Sequence, residues 1–227
     1  MATADIKDLM NLDNPEKYFQ GMAPFATLMM HNQCALREVE TKLRVLNDEF
    51  SQQHHRNPFE TIKTRIKSPM SILEKLRRKG VDISIHNMEQ YLNDIAGIRV
   101  ICSFPEDIYT VARLLGEQDD IKVLEVRDYI QNPKPNGYRS LHQIIEIPIF
   151  LSTGKKYMRV EVQYRTIAMD FWASLDHKMK YKQHIENADF ITAELRKCAD
   201  IINETDFRMQ EIRHMIDAQS HGDADAE

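Results

Sequence analysis

At 227 residues, with 42% hydrophobic and 29% charged side chains, the chain has room for one catalytic domain with helical additions and is too apolar for wholesale disorder. Its net charge of −5 and pI near 6.0 argue against non-specific nucleic-acid binding by the whole surface, and no apolar run approaches the roughly 20 residues of a membrane helix. Cys34, Cys102 and Cys198 lack metal-type spacing, and Met1–Asp8 lack a basic stretch leading into an apolar one, so a reducing cytoplasm is the expected location.

A first flanking helix is expected over about 22–53, where Leu36, Val39, Leu43, Leu46 and Phe50 keep a three-four spacing. Asn57–Gly80 reads as a second helix, opened by Pro58, closed by Gly80, kinked at Pro69, with Ile62, Ile66, Pro69, Leu73 and Leu76 as its apolar stripe. Strands and helices then alternate. Ile98–Phe104 reads as a buried strand, Pro105–Gly116 as a helix and Ile121–Tyr129 as a strand. Gln131–Gly137, with two prolines and an Asn-Gly pair, is a loop, and Leu141–Ile149 and Tyr157–Arg165 are further strands. A helix from Thr166 to about Lys182 closes a catalytic core of about 57–182. The fold class expected is α+β, a mixed sheet backed by helices, in a single domain. The last flanking helix, about 188–217, carries Ile191, Leu195, Cys198, Ile202, Thr205, Met209, Ile212 and Ile216, and 218–227 is a flexible acidic tail. Each flanking stripe is either packing onto the parent domain or a subunit seam, because periodicity shows that a face is buried and not what buries it.

Four segments carry chemistry. Lys67, Ser71, Lys75 and Arg78, with Arg65 nearby, form a row of cations and a hydroxyl, which is what a polyphosphate requires; alone, the row reads more simply as a solvated basic face. Asp94-Ile-Ala-Gly-Ile-Arg99 puts an acid before a strand and an arginine inside it, where it must find a ligand or a partner such as Asp94 itself. Met158–Arg165 alternates strictly, with Arg159, Glu161, Gln163 and Arg165 on one face; on a central strand that face lines a cleft. Asn136-Gly-Tyr-Arg-Ser-Leu-His142 offers a ring to stack on a base and polar groups for phosphate or ribose. No G-x-x-x-x-G-K-[ST], G-x-G-x-x-G or H-E-x-x-H occurs, so a phosphate site must be built from side chains.

Arg65-Ile-Lys67 with Ser71 and Lys75, Asp94–Arg99, Gly137-Tyr-Arg-Ser, Val160–Gln163 with Arg165-Thr166, and Phe171–His177 running to Tyr181-Lys182 together resemble the synthetase domain of the RelA/SpoT family. The likeness is strongest to its stand-alone small alarmone synthetases of the RelQ/RelP kind. The resemblance implies a nucleotidyltransferase-like fold and transfer of pyrophosphate from ATP to the 3′-hydroxyl of GDP or GTP, with GMP a further candidate acceptor, in the stringent response. It implies that Arg65 and Arg99 sandwich adenine and that Lys67, Ser71 and Lys75 hold the ATP phosphates, with Arg78 continuing their row. Asp94 and Glu161 would be the catalytic pair and would carry Mg²⁺, with Glu161 also the candidate to activate the attacking 3′-hydroxyl, orienting it more than deprotonating it. Tyr138 would stack on guanine, and Lys134 and His142 would meet the acceptor's phosphates. Gln163 and His177 would belong to the same pocket, as would Asp170, which stands where some members have Asn near the guanine; Asp176 stands where Glu usually precedes the histidine.

The resemblance further implies a homotetramer built through the flanking helices. Members that also hydrolyse the alarmone carry a separate domain with a His-Asp dyad; none of the nine histidines here precedes Asp, so a synthetase without hydrolase activity is expected. Glu40–Lys63, where an activating alarmone would be sought, mixes Glu40, Glu49 and Glu60 with Lys42, Arg44 and Lys63, so activation is expected to be weak or absent. A catalytically silent guanosine-nucleotide sensor would have lost a metal carboxylate, and a tRNA-pyrophosphorylating relative would need a basic surface; RNA binding is not indicated by the charge.

Overall fold

The computed structural model describes residues 15–54, 56–180 and 187–222. The elements run α1 (Pro15–His54), β1 (Phe59–Ile66), α2 (Pro69–Lys79), α3 (Ile85–Tyr91), β2 (Ala96–Cys102), α4 (Pro105–Gly116), β3 (Lys122–Asp128), β4 (Leu141–Leu151), β5 (Gly154–Thr166), α5 (Ile167–Lys180) and α6 (Ala188–Gly222). The sheet order is β1-β2-β5-β4-β3, with β2 and β5 parallel and every other pair antiparallel. This is the expected mixed sheet, and β5 is its central strand.

Two chemical faces follow from the alternation. Ile98, Val100, Met158, Val160, Val162 and Tyr164 point into the core, where Leu36, Val39 and Leu43 of α1 and Ile108, Val111 and Leu115 of α4 meet them. The opposite face carries a row of paired polar residues across all five strands. Lys63 pairs with Arg99, Arg99 with Gln163, Gln163 with His142, and His142 with Arg127.

The single helix expected over Asn57–Gly80 is not formed. Phe59–Ile66 is an edge strand, and the ladder slips between Phe59 and Thr61. Ile62 and Ile66 lie on the inner face of the strand with the exposed Thr64 between them, so the apolar positions fall four apart and run on into Leu73 and Leu76 of α2, a spacing that mimics a helix. Thr61, Ile62, Thr64 and Ile66 are β-branched, as a strand prefers. Pro69 is not a kink but an opening position of α2, whose N-cap Ser68 accepts a hydrogen bond from the Ser71 N–H. Gly80 ends the helix in the left-handed region at φ 69°, as expected.

The two flanking stripes resolve differently. Leu36, Val39, Leu43 and Leu46 are buried against the sheet, so the α1 stripe is core packing. On α6 the buried face is Leu195, Ala199, Asp206 and Gln210, whereas Ile191, Met209, Ile212 and Ile216 are exposed. Hydropathy misses this docking face because its far half is polar. Asp206 accepts from the Thr166 hydroxyl at 2.5 Å, and Gln210 accepts from the Glu106 N–H at 2.9 Å. The helix also runs on to Gly222, so 218–222, expected as part of a flexible tail, continue its turns; the sequence there offers no proline or glycine to stop them before Gly222. Tyr181, Lys182 and the tail beyond 222 lie outside the described residues.

Candidate active site

Asp94 lies at the foot of β2, joined to the end of β1 by a Lys67 N–H to Ile95 carbonyl bond of 2.8 Å. One of its carboxylate oxygens, Oδ2, is 2.6 Å from both Lys67 Nζ and Lys75 Nζ. Burial pushes the Asp94 carboxyl up, but the hydrogen bonds and charges of the two lysines outweigh it and hold it below the ordinary carboxylate range. The other oxygen, Oδ1, is buried with no hydrogen-bond partner among the described residues. Ser71 and Arg78 are exposed on the same helix, one turn before and one turn after Lys75.

Glu161 projects from β5 at the register of Gly97 on β2 and Ile144 on β4. It is nearly buried, its Oε2 accepts from Gln163 Nε2 at 2.9 Å, and its Oε1 is 3.4 Å from His142 Nδ1. Burial raises its proton affinity, yet His142 and Gln163 bring it below the ordinary value despite an opposing push from the Asp94 charge. Both acids are thus held below the ordinary carboxylate range.

On one side of this pair, Lys63, Arg65, Gly97, Arg99 and Gln163 line a cleft of about 120 Å³. Gly97 is its floor, beneath the Arg65 side chain, where a Cβ would make an ordinary van der Waals contact with Arg65 Nε at 3.4 Å. At the end of the cleft Asp170, from the first turn of α5, accepts from Arg99 at 3.0 Å, Arg165 at 3.0 Å and Lys63 at 3.1 Å.

On the other side, a turn closed by Gly137 N–H to the Lys134 carbonyl (2.8 Å) presents Tyr138. The Lys134 ammonium sits 4.7 Å from the ring centres of both Tyr129 and Tyr138. Tyr138 Oη accepts from Arg165 Nη2 at 2.7 Å and lies 2.8 Å from His142 Nε2. Since arginine can only donate, the tyrosine proton is available to His142 Nε2, which leaves the imidazole N–H on Nδ1, facing Glu161. Burial, then repulsion from Arg127 and Arg165, lowers the Lys134 pKa against the pull of Glu161. Lys134 beside Arg127 and Arg165 makes a cationic patch suited to an anion.

The structure thus brings Arg65, Lys67, Lys75, Asp94, Arg99, Lys134, Tyr138, His142, Glu161, Gln163 and Asp170 to one face of the sheet and its rim. His142 turns its two nitrogens toward Tyr138 and Glu161. His177 is exposed farther along α5, next to Asp176, whose carboxylate accepts from Asn136 at 3.4 Å. The motifs do not single out Lys63, Arg127, Tyr129 or Arg165 as site residues. Arg165 lies on the polar face of its strand, but Lys63 and Arg127 are recognisable only through cross-strand register.

Residues 64–186 match the family described as a region found in RelA / SpoT proteins. The chain belongs to the RelA/SpoT family. It is 46% identical over 183 residues to the GTP pyrophosphokinase YwaC of Bacillus subtilis, covering 81% of this chain and 87% of that protein. The crystal structure of small alarmone synthetase 2 from Bacillus subtilis superposes with a TM-score of 0.76 at 42% identity, over 84% of this chain and 98% of that one. Small alarmone synthetase 1 from the same organism, solved bound to its product pppGpp, gives a TM-score of 0.77 at 33% identity, over 85% and 97% of the two chains. Asp94, Arg99, Tyr138, His142 and Glu161 all fall inside the RelA/SpoT match.

Proposed function

We propose that the protein transfers the β,γ-pyrophosphate of ATP to the 3′-hydroxyl of GDP or GTP, giving ppGpp or pppGpp and AMP. The observation that carries this reading is the placing of two ionised acids, Asp94 and Glu161, between an arginine-lined cleft and an aromatic, lysine-bearing turn. Such a layout suits two nucleotides meeting end to end. The product-bound relative and the GTP pyrophosphokinase relative support it.

In this reading Arg65 and Arg99 flank adenine, and Lys67, Lys75, Ser71 and Arg78 neutralise the ATP phosphates. Tyr138 stacks on guanine, and Lys134 meets the acceptor's phosphates with Arg127 in place of the expected His142, whose two nitrogens face Tyr138 and Glu161. A bond forms between the acceptor O3′ and the ATP β-phosphorus as the bond from that phosphorus to the bridging α-phosphate oxygen breaks. AMP departs with the bridging oxygen and its electron pair, and the hydroxyl proton is released to solvent. Because Glu161 has a low proton affinity, it acts chiefly by accepting a hydrogen bond that aims the hydroxyl. His142, between Tyr138 and Glu161, holds that carboxylate in place.

Asp94 and Glu161 would hold Mg²⁺, which takes few protein carboxylates and completes its shell with phosphates and water. The unpartnered Asp94 Oδ1 fits such an ion. When bound, the ion would neutralise charge developing on the transferred group.

The reading includes synthesis without hydrolysis, a cytoplasmic location and a homotetramer. The exposed apolar face of α6 favours self-association, with Met209 53%, Ile212 49% and Ile216 57% accessible. No helix among the described residues is long and apolar enough to cross a membrane.

The test incubates purified protein with ATP, Mg²⁺ and, separately, GDP, GTP and GMP, with Glu161→Gln in parallel, and separates nucleotides by ion exchange. New guanosine polyphosphate with matching AMP, absent in the variant, is expected. Nucleotide binding without product from any acceptor would refute the activity and favour a sensor. Sedimentation at micromolar concentration reads the oligomer; a monomer would remove the tetramer.

A further inference from the structure

The turn that presents Tyr138 has little structure of its own. Two of its three residues before the tyrosine are proline and glycine, and Gly137 stands at φ 88°. What it rests on is α6. A Cβ at Gly137 would lie 2.5 Å from Ala199 Cβ and 3.2 Å from Arg196 Cα, so the turn backbone is pressed directly onto the helix. Tyr138 itself packs against the small cluster of Trp172, Leu195 and Ala199, and Trp172 Nε1 donates to the Leu195 carbonyl at 3.0 Å.

One charged contact fixes the direction of the turn. Arg139, next to Tyr138, donates from Nη2 to Asp200 Oδ1 on α6 at 2.8 Å and from Nη1 to the Ile130 carbonyl at 3.3 Å. The Arg139 side chain is only 13% accessible, so it is held by the fold, whereas that of Asp200 is 53% accessible and reaches in from the helix surface. The bond therefore joins the start of the loop, the residue after the tyrosine, and α6.

From this we infer that α6, beyond the strands and loops bearing the chemistry, is a working part of the acceptor site, with Asp200 a positioning residue that acts through Arg139 on Tyr138. The inference rests on the proposed function, in which Tyr138 receives the guanosine nucleotide. Nothing in the contact touches Arg65, Arg99, Lys67 or Lys75, so its loss is selective for the acceptor. Asp200→Ala is a clean probe, because alanine is the better helix former and leaves α6 intact.

Steady-state kinetics on the full chain, with ATP and GDP varied in turn, compare wild type, Asp200→Ala, Asp200→Glu and Tyr138→Ala, with melting temperatures alongside. Asp200→Ala is expected to raise the KM for GDP about fivefold, as for loss of a charge-assisted hydrogen bond, with the KM for ATP and the melting temperature unchanged. Asp200→Glu keeps the charge and should restore the wild-type KM for GDP. Tyr138→Ala should raise it about tenfold or more. An Asp200→Ala enzyme with an unchanged KM for GDP, or with both KM values raised alike, overturns the inference while Tyr138→Ala still shows its effect. If Tyr138→Ala leaves the KM for GDP unchanged, the acceptor assignment falls, and the inference with it.

Discussion

His142 Nδ1 faces Glu161 Oε1 at 3.4 Å across neighbouring strands, while its Nε2 is 2.8 Å from Tyr138 Oη. The imidazole thus links the ring assigned to guanine with the carboxylate assigned to the attacking hydroxyl. Its effect on rate should be smaller than that of the acid it holds. Glu161→Gln should lower kcat by about 10²- to 10⁴-fold, and His142→Asn by about 10- to 100-fold. Single-turnover synthesis with saturating nucleotides measures both, and equal losses would show that His142 does more than position.

The acids should tolerate low pH. Asp94 and Glu161 both titrate below their ordinary values. A carboxylate with a depressed folded pKa contributes stability above its unfolded value, near 4, and loses it as pH falls through the lower folded value. The pH profile of kcat/KM should accordingly show no acid limb from these groups above about pH 5. A limb centred near neutrality that shifts in Glu161→Gln would contradict this.

Asp206 has the opposite sign. Burial raises its pKa more than the Thr166 hydroxyl lowers it. The folded state therefore carries a penalty for the charged form that is full above the raised pKa and fades as pH falls toward the unfolded value. Asp206→Asn keeps an acceptor for Thr166 and should be neutral to stabilising, by up to about 1 kcal/mol at pH 7. Denaturant melts at pH 7 and pH 4 should show that difference shrinking at the lower pH.

Asp170 binds three cations at once, so removing its charge should be felt beyond the acceptor. Asp170→Asn leaves Arg165, 6% accessible, short of its main counter-charge and should cost about 2 kcal/mol of stability. The KM for ATP should rise as well, since Lys63 and Arg99 line the adenine-side cleft. Urea melts and ATP titrations read the two effects separately.

Arg44 in α1 donates to Glu40 at 2.6 Å, and the surface around it carries Asp48 and Glu60. Anionic effectors find weak attraction there, so adding pppGpp should change the initial rate by less than about twofold. A several-fold rise would show an activating site. Incubating pppGpp with the protein and Mn²⁺ should release no pyrophosphate.

How legible the molecule was can be judged residue by residue. The β5 alternation put Glu161 and Gln163 on a cleft face because a strand allows two faces only, and the core claimed Val160 and Val162. Pro105 and Gly116 marked α4 because helix ends have strong local chemistry. The reading of Asn57–Gly80 failed because the polar Thr64 interrupts the inner face of β1 and leaves Ile62 and Ile66 at helix spacing. The row from Lys63 to Arg127 was invisible because register is a relation between segments.

The amino-acid order by itself determined the mixed α+β core, the punctuation of its elements and the chemical types at the site, since these depend on neighbours within a few residues. Tertiary structure alone decided that Lys67 and Lys75 converge on Asp94, that Asp170 gathers Lys63, Arg99 and Arg165, and that α6 docks through Asp206 and Gln210 beyond Leu195 and Ala199, leaving Met209, Ile212 and Ile216 exposed. Those contacts join residues up to 107 positions apart, and no local pattern encodes which distant partner will satisfy a buried charge.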